Sequence, residues 1–317
     1  MLLMSAALQL PQTSRRHFIA GTLAALPLMN VADQPQRKEG MTLGFSTYGM
    51  KKLRTEEALK EIIRIGYDAV EVTVWPGWDA APGNMSAARR KQVRSQISNG
   101  GLELSSLMEH VTPGKSVRDR AANLKRLNGV FELAADLAES PPLVQTVLGG
   151  GKFEAEKNRI RDCVGAWAEA ASQQGVTLAI KPHRGGVVSQ PSEGVWIIEQ
   201  LDKPENLKLV YDYSHYIYRD LSLSETVATA MPYIAHVAVK DAAKQGDRVV
   251  FQLPGTAGTI PFDALLRRLD AGEYHGDISC EVSGMVWNKA GYDPVKAAET
   301  CYRNVSAAFE QAGVTRR

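Results

Sequence analysis

Charged side chains and histidines stand at or just after the ends of several short apolar runs of this chain. Lys181 follows one such run, Asp212 follows another, and Glu281 closes the last. Two carboxylates and an amine brought to one place could transfer protons, or stabilise a carbonyl oxygen that becomes negatively charged during a reaction. Burying each of these charges without a partner would be costly. We therefore expect them to meet in one polar site.

Other hydrogen-bonding side chains occupy comparable positions. His215 follows Asp212 closely, and it either transfers a proton, binds a substrate hydroxyl or braces Asp212. With Lys181, Asp212 and Glu281 it makes up the predicted catalytic set. Six further residues are predicted to bind substrate, because they carry polar groups near the ends of the other runs: Glu71, Glu109, His183, Arg184, His236 and Lys240.

The apolar runs predict strands at residues 42–47, 69–74, 102–108, 143–148, 177–181, 208–212, 235–240 and 277–282. Amphipathic stretches between them predict helices at 55–65, 86–98, 117–137, 155–174, 192–201, 223–231, 262–270 and 294–312. Strands that are apolar throughout are typical of a parallel sheet covered on both faces. Eight strand–helix repeats favour a closed (β/α)8 TIM barrel over an open α/β sheet. A single barrel domain is therefore expected at residues 41–317.

Barrel closure also explains why the polar positions matter. In a (β/α)8 barrel the carboxyl ends of all strands meet at one mouth, and catalytic groups lie there. The polar residues that end the predicted strands should therefore converge. No glycine-rich dinucleotide fingerprint follows the first strand, which disfavours a nucleotide-binding sheet.

The N-terminal segment predicts export. Arg15 and Arg16 precede a moderately apolar run at residues 20–29, which is shorter than the roughly 20 apolar residues of a transmembrane helix. Charged, apolar and small residues follow one another as in a signal peptide, and paired arginines are typical of the twin-arginine (Tat) route. We expect a Tat signal peptide at residues 1–32, a linker at 33–40 and a periplasmic protein. No other segment is expected to span a membrane.

The amino-acid composition limits the kinds of binding partner that we expect. The 317 residues are 44% hydrophobic and 23% charged, as in a globular protein with a substantial core. The net charge of +2 gives no reason to expect binding to nucleic acid or to an anionic membrane. Cys163, Cys280 and Cys301 lack metal-type spacing and are expected in the core and not in a disulfide framework. The oligomeric state is left open.

Three stretches and the last strand together resemble the sugar phosphate isomerase/epimerase family of xylose-isomerase-like barrels. The stretches are residues 178–185, 209–215 and 236–242, and the last strand contributes Glu281 with Gly276 ahead of it. The resemblance runs from residue 43 to the last helix. It implies a TIM barrel that acts on a small carbohydrate, without naming the substrate.

The same resemblance implies a divalent metal held by four side chains. Asp212 and Glu281 match two of them, whereas Lys181 stands at the strand-five glutamate and Ala238 at the strand-seven histidine, with His236 one layer deeper. An ammonium group removes a ligand and repels the cation, and hard divalent ions prefer oxygen ligands. We therefore expect no cofactor and weak or absent metal binding, with Mn or Mg as the fallback.

The expected activity is isomerisation or epimerisation of a free sugar or keto-sugar by removal of a proton next to its carbonyl. Glu281 would be the general base, with a raised pKa, and Lys181 would stabilise the enolate and donate a proton if burial lowers its pKa. Asp212 would orient Lys181. Two alternatives stay open. One is a lyase that eliminates a group from a keto-glycoside, and the other is a non-catalytic sugar-binding barrel in which Lys181 neutralises leftover carboxylates.

Overall fold

Eight parallel strands close on themselves in the computed structural model, which describes residues 39–317. They are β1 (Thr42–Ser46), β2 (Ala69–Thr73), β3 (Glu103–Met108), β4 (Leu143–Thr146), β5 (Leu178–Ile180), β6 (Leu207–Tyr211), β7 (Ile234–Val239) and β10 (Asp277–Cys280). Consecutive barrel strands pair in parallel, and β10 pairs with β1 to complete the ring. The predicted TIM barrel is confirmed. The predicted signal peptide at residues 1–32 and nearly all of the linker at 33–40 lie outside the described residues.

Eight helices alternate with these strands, as the amphipathic stretches predict. They are α1 (Thr55–Ile65), α2 (Ala87–Asn99), α3 (Val117–Leu137), α4 (Phe153–Ser172), α5 (Pro191–Gln200), α6 (Leu223–Ala230), α7 (Phe262–Ala271) and α9 (Pro294–Ala312). Helix α1 shows why the pattern is readable: its apolar face is buried, and Gly66 ends it in the left-handed conformation at φ 99°. No helix within residues 39–317 is long and apolar enough to cross a bilayer.

Two short elements between the barrel repeats were not predicted. An antiparallel hairpin, β8 (Asp241–Gln245) and β9 (Arg248–Gln252), follows β7 directly, and a one-turn helix, α8 (Gly284–Trp287), follows β10. Gly246 and Asp247 alone connect the hairpin strands, and Gly246 has φ 59°. A two-residue Gly-Asp connection is a recognised hairpin signal, so this element was readable from the sequence. Both elements stand at the mouth of the barrel.

The apolar core fills the space between the barrel and its helices, and the inside of the barrel is different. Ala179, Val210 and Ala238 form a small separate apolar cluster there. Above and below them the inward-facing side chains are mostly polar, whereas many TIM barrels fill this space with large aliphatic residues. The three cysteines are buried and free, as predicted.

Candidate active site

Four charged residues sit at the mouth, each immediately after the last residue of its strand. Lys181 follows β5, Asp212 follows β6, Lys240 follows β7 and Glu281 follows β10. Three of them lie two residues beyond the members of the small apolar cluster, so alternation along a strand points them to the same inner side, one layer higher. We call these four residues the charge cluster.

Short ion pairs join the members of the charge cluster. The Lys181 Nζ atom lies 2.5 Å from Glu281 Oε2 and 3.0 Å from Asp212 Oδ2. The Lys240 Nζ atom lies 2.7 Å from Glu281 Oε1 and also pairs with Asp212 Oδ2. Each ammonium group therefore bridges both carboxylates. The side chains are buried: Lys181 is 2% exposed and Glu281 is 6% exposed. Burial on this scale is tolerable because two cations and two anions neutralise one another.

These pairs hold all three of the predicted acid–base groups in their charged forms. Burial acts to raise the pKa of Glu281, but the ammonium groups of Lys181 and Lys240 outweigh it and lower that pKa. Burial acts to lower the pKa of Lys181, but Glu281 and Asp212 raise it. The pKa of Asp212 is lowered by the same two lysines against the effect of burial. The raised pKa expected for Glu281 and the lowered pKa expected for Lys181 are therefore corrected: each group stabilises the charge of the other.

Two histidines extend the charge cluster upward. His215 is fully buried, with its Nε2 atom 3.4 Å from Asp212 Oδ2, and its ring packs 3.9 Å from the ring of His183. Ser214 donates to the other oxygen of Asp212, from its backbone N–H at 3.2 Å and from Oγ at 2.6 Å. Burial, followed by the nearby charge of Lys240, lowers the pKa of His215 well below its usual value. His215 is therefore a neutral ring beside Asp212.

Two of the predicted substrate-binding residues have partners outside the charge cluster. The Glu109 carboxylate pairs with Arg126 of α3 and accepts the backbone N–H of His110 at 2.7 Å, so it faces the helices. The Arg184 guanidinium donates to the backbone carbonyl of Ile217 in a neighbouring loop. The expectation for Glu109 is corrected, because Arg126 already pairs with its carboxylate. The single bond to Ile217 leaves other N–H donors of Arg184, such as Nε, without a protein partner, so substrate binding by Arg184 stays a prediction.

Sequence reasoning missed the residue beside Glu109. His110 comes two residues after β3 on the mouth side, where its ring lies 3.7 Å from that of Trp75. Burial, with a smaller effect of the Lys181 charge, lowers its pKa to about 3 against the opposing effect of Glu281. A register shift between β2 and β3 at Val70/Glu71 makes β3 one residue longer there, and such a bulge reverses which side chains face inward. That reversal is why the choice between adjacent residues failed.

The predicted substrate ligands Glu71 and His236 lie below the charge cluster and are fully buried. His236 Nε2 is 3.3 Å from Glu71 Oε2, and its Nδ1 is 3.9 Å from Asp277 Oδ2. Burial acts to lower the pKa of His236, but Glu71 outweighs it and raises that pKa, while burial raises the pKa of Asp277 to about 6. Gln145 also donates to Glu71. This lower polar layer supports the charge cluster from beneath.

Aromatic residues wall the mouth on two sides. On the β1 side, Tyr48 lies between Trp75, Trp78 and Trp287, with ring distances of 5.2, 5.6 and 5.5 Å. Burial, with a smaller effect of the Glu281 charge, raises the pKa of Tyr48 to about 12, so its phenol keeps its proton. Beside β7 the hairpin places the Phe251 ring 5.0 Å from the ring of His215 and 5.1 Å from Lys240 Nζ. Tyr48 and Phe251 were not predicted as site residues.

The donor set does not fit a divalent metal. Asp212 and Glu281 supply carboxylate oxygens, but ammonium groups already pair with them. Lys240 is one of these cations, and the resemblance, which compared Ala238 with the family's histidine, did not indicate it. Among residues 39–317 no group of three or more His, Cys, Asp or Glu side chains is arranged to hold a metal ion. A divalent ion at this place would face two fixed positive charges.

Comparison with known structures finds the same barrel fold in several solved proteins. The 3-keto-D-glucoside 4-epimerase YcjR from E. coli aligns with a TM-score of 0.67 at 16% identity, over 84% of this chain and 99% of that chain. An L-ribulose 3-epimerase aligns with a TM-score of 0.70 at 18% identity, over 86% and 96%. The probable 3-DHS dehydratase AsbF from Bacillus anthracis aligns with a TM-score of 0.69 at 13% identity, over 84% and 99%.

At these identities the solved structures establish the fold. A search of curated proteins gives no significant match. The family model described as xylose isomerase-like TIM barrel matches residues 59–303, which is most of the chain and includes every member of the charge cluster. With the closed parallel barrel and its polar mouth, that match shows that the chain belongs to the xylose isomerase-like TIM barrel family.

Proposed function

We propose that this protein is a sugar isomerase or epimerase that removes a proton next to the carbonyl of a free sugar or keto-sugar. One observation carries the proposal: two buried ammonium groups, Lys181 and Lys240, are fixed at the mouth by Asp212 and Glu281. Fixed positive charge in a site shielded from water stabilises an oxygen that becomes negative in the transition state. Two structural neighbours, an epimerase of a keto-glucoside and an epimerase of L-ribulose, agree with a carbohydrate substrate.

In this scheme the two lysines act as electrophiles. A substrate carbonyl oxygen that reaches Lys181 or Lys240 would receive a charge-assisted hydrogen bond, and that bond strengthens as enolate character develops. Asp212 and Glu281 keep the ammonium groups charged and in place. Because the net charge of the charge cluster is zero, the proposal fits a neutral sugar better than a phosphorylated one.

The sequence analysis predicts that Glu281 is the base that removes the proton. A carboxylate whose pKa is lowered by two ammonium groups is a weak base. Glu281 could act only if a bound substrate drew one lysine away from it. Replacing it therefore tests whether it removes the proton or only holds the lysines.

The test is deuterium exchange from D2O into 3-keto-D-glucose, D-fructose and D-ribulose, followed by NMR. We expect exchange with the natural protein and its loss in Lys181→Met. The exposed Lys125→Met on α3 is the matched control and should exchange like the natural protein. Lack of exchange with every probe sugar would refute the proposal, and tight sugar binding in its place would favour a non-catalytic barrel. Exchange with release of an alcohol from a 3-keto-glycoside would favour a lyase, as the fold shared with a dehydratase suggests.

Export is a separate proposal. Arg15 and Arg16 ahead of an apolar run support secretion through the twin-arginine route to the periplasm. A periplasmic location also suits a free sugar or glycoside as the substrate.

A further inference from the structure

We propose that His183 is the base that takes the proton from the carbon next to the substrate carbonyl and later returns it. This inference rests on the proposed function and assigns its central step to His183, which the sequence analysis predicts to bind substrate. The argument depends on which nitrogen of the ring carries hydrogen, how the ring is held, and what surrounds it.

A carbonyl oxygen fixes the tautomer of His183. The Nδ1 atom lies 2.8 Å from the backbone oxygen of Arg184. A carbonyl oxygen only accepts hydrogen bonds, so Nδ1 must carry the hydrogen and donate it. In the neutral ring the other nitrogen, Nε2, then carries a lone pair. This is the arrangement by which a backbone carbonyl orients a catalytic imidazole.

The surroundings keep that ring neutral. Burial, followed by the charges of Lys240 and Lys181, lowers the pKa of His183 to about 4, which weakens the ring as a base but leaves it a stronger base than Glu281, whose pKa is lowered further. His183 is half-buried, and the protein offers Nε2 no hydrogen bond within residues 39–317. Both ring nitrogens of His215, in contrast, are shut off from solvent, and Nε2 faces Asp212 Oδ2 at 3.4 Å. His183 is therefore the neighbour of the charge cluster with a lone pair that a substrate can reach.

The backbone holds His183 in place at the mouth. Its N–H donates to Val188 O at 2.9 Å, and its carbonyl accepts from the N–H of Gly186 at 2.7 Å, so the loop after β5 folds into a tight turn. The ring packs against His215, which in turn lies beside Asp212. A base fixed at a strand end next to two ammonium groups has the relationship that proton removal from a carbonyl compound requires.

The step balances without a further reactant. The C–H bond next to the carbonyl breaks, and its proton moves to His183 Nε2. Its electron pair forms the carbon–carbon double bond of the enolate, and the carbonyl electrons move to the oxygen beside Lys181 or Lys240. Return of the proton from Nε2 to the former carbonyl carbon, with transfer of the neighbouring hydroxyl proton to the enolate oxygen, gives the isomer and restores the neutral ring. Return to the same carbon from the same face regenerates the substrate, and inversion there needs a proton delivered from the opposite face. Because Nε2 is open to solvent, the proton exchanges with D2O in the meantime.

The first test measures the tautomer and needs no substrate. Long-range 1H–15N correlation spectra of protein labelled at histidine nitrogen, compared with His183→Gln for assignment, should show His183 neutral at pH 7 with hydrogen on Nδ1. A ring with hydrogen on Nε2, or with hydrogen on both nitrogens, would overturn the inference whatever the substrate is.

The second test measures exchange into whichever probe sugar the natural protein labels. We expect His183→Gln to reduce the exchange rate about 10²–10⁴-fold, the range typical of a general base, and free imidazole to restore part of it in His183→Gly. His275→Gln, a histidine before β10 and away from the mouth, is the matched control and should exchange normally.

The two proposals fail differently. No exchange by the natural protein refutes the proposed function and the inference with it. Exchange that survives in His183→Gln but is lost in Glu281→Gln or His110→Gln leaves the function standing and moves the base to that residue. A loss in His183→Gln that imidazole does not restore in His183→Gly, in protein that melts normally, would assign His183 to structure and overturn the inference.

Discussion

Replacing Lys181 by Met removes one of two cations from between two buried carboxylates, so it should cost stability as well as activity. The variant loses contacts to Glu281 at 2.5 Å and to Asp212 at 3.0 Å. Removing one partner of a buried ion pair typically costs about 3–5 kcal/mol. Lys240 still bridges both carboxylates, and its repulsion by Lys181 disappears, so we expect the low end, about 3 kcal/mol. For a barrel of this size that corresponds to a melting temperature roughly 6–12 °C lower.

The loss should depend on pH in a defined direction. In the natural protein the pKa values of Asp212 and Glu281 are lowered by the lysines, so the pair stabilises the fold above the ordinary carboxyl range and loses that effect as the pH falls through the lowered values. In Lys181→Met these carboxylates take up protons at higher pH, which relieves their repulsion. The difference in melting temperature between the two proteins should therefore be largest near neutral pH and should narrow on acidification.

Thermal melts followed by circular dichroism at several pH values would measure this. The double variant Lys181→Met, Glu281→Gln should recover much of the loss, because it removes a cation and an anion together, and Lys125→Met should melt like the natural protein. A Lys181→Met protein that melts within 1 °C of the natural one at pH 7, or a difference that widens on acidification, would show that Lys181 does not pair with these carboxylates in solution.

Three shorter predictions follow from other parts of the molecule. Elemental analysis of the purified protein should find no stoichiometric Mn, Mg, Zn or Co, and a tightly held ion would contradict the ion pairing described. Creating a metal site should require replacing Lys240 as well as changing Lys181→Glu and Ala238→His. Asp241→Ala should speed proteolysis of residues 253–260 and lower stability by about 1–3 kcal/mol, because the Asp241 carboxylate accepts the backbone N–H groups of Ala257 and Gly258, each at 3.0 Å; unchanged cleavage would mean that other contacts hold this loop. Changing Arg15 and Arg16 together to Lys should leave the precursor in the cytoplasm on cell fractionation, and normal secretion would exclude the twin-arginine route.

The barrel strands and helices were predictable because their patterns have clear periods. All sixteen predicted elements lie within two residues of the observed ones. The same reasoning brought Lys181, Asp212 and Glu281 to one mouth, because parallel strands in a barrel end on the same side. Predicting the elements and the meeting of these three residues requires no knowledge of side-chain positions.

The predictions that failed concern the direction and the pKa of individual side chains. Glu109 and His110 are adjacent, and only the bulge between β2 and β3 decides which of them faces the mouth. The role of Lys240 was underestimated, because a residue just beyond a strand can point inward or join the following loop. The pKa expectations failed for a related reason: the second lysine reverses the balance between burial and charge at Glu281. Such effects depend on distances of a few ångströms, which spacing along the chain does not give.

The thin apolar layer of Ala179, Val210 and Ala238 has a consequence for how this mouth can change during evolution. It lies between the charge cluster and the polar layer below, although the charge of Glu71 still raises the pKa of Lys181 across it. Within the upper layer a single substitution such as Lys to Glu would leave three like charges against one, whereas a paired exchange keeps neutrality. In related sequences, changes at positions 181, 212, 240 and 281 should therefore occur two at a time, so that the total charge stays zero. The small residues beneath should vary in size only within the space that the closed barrel leaves.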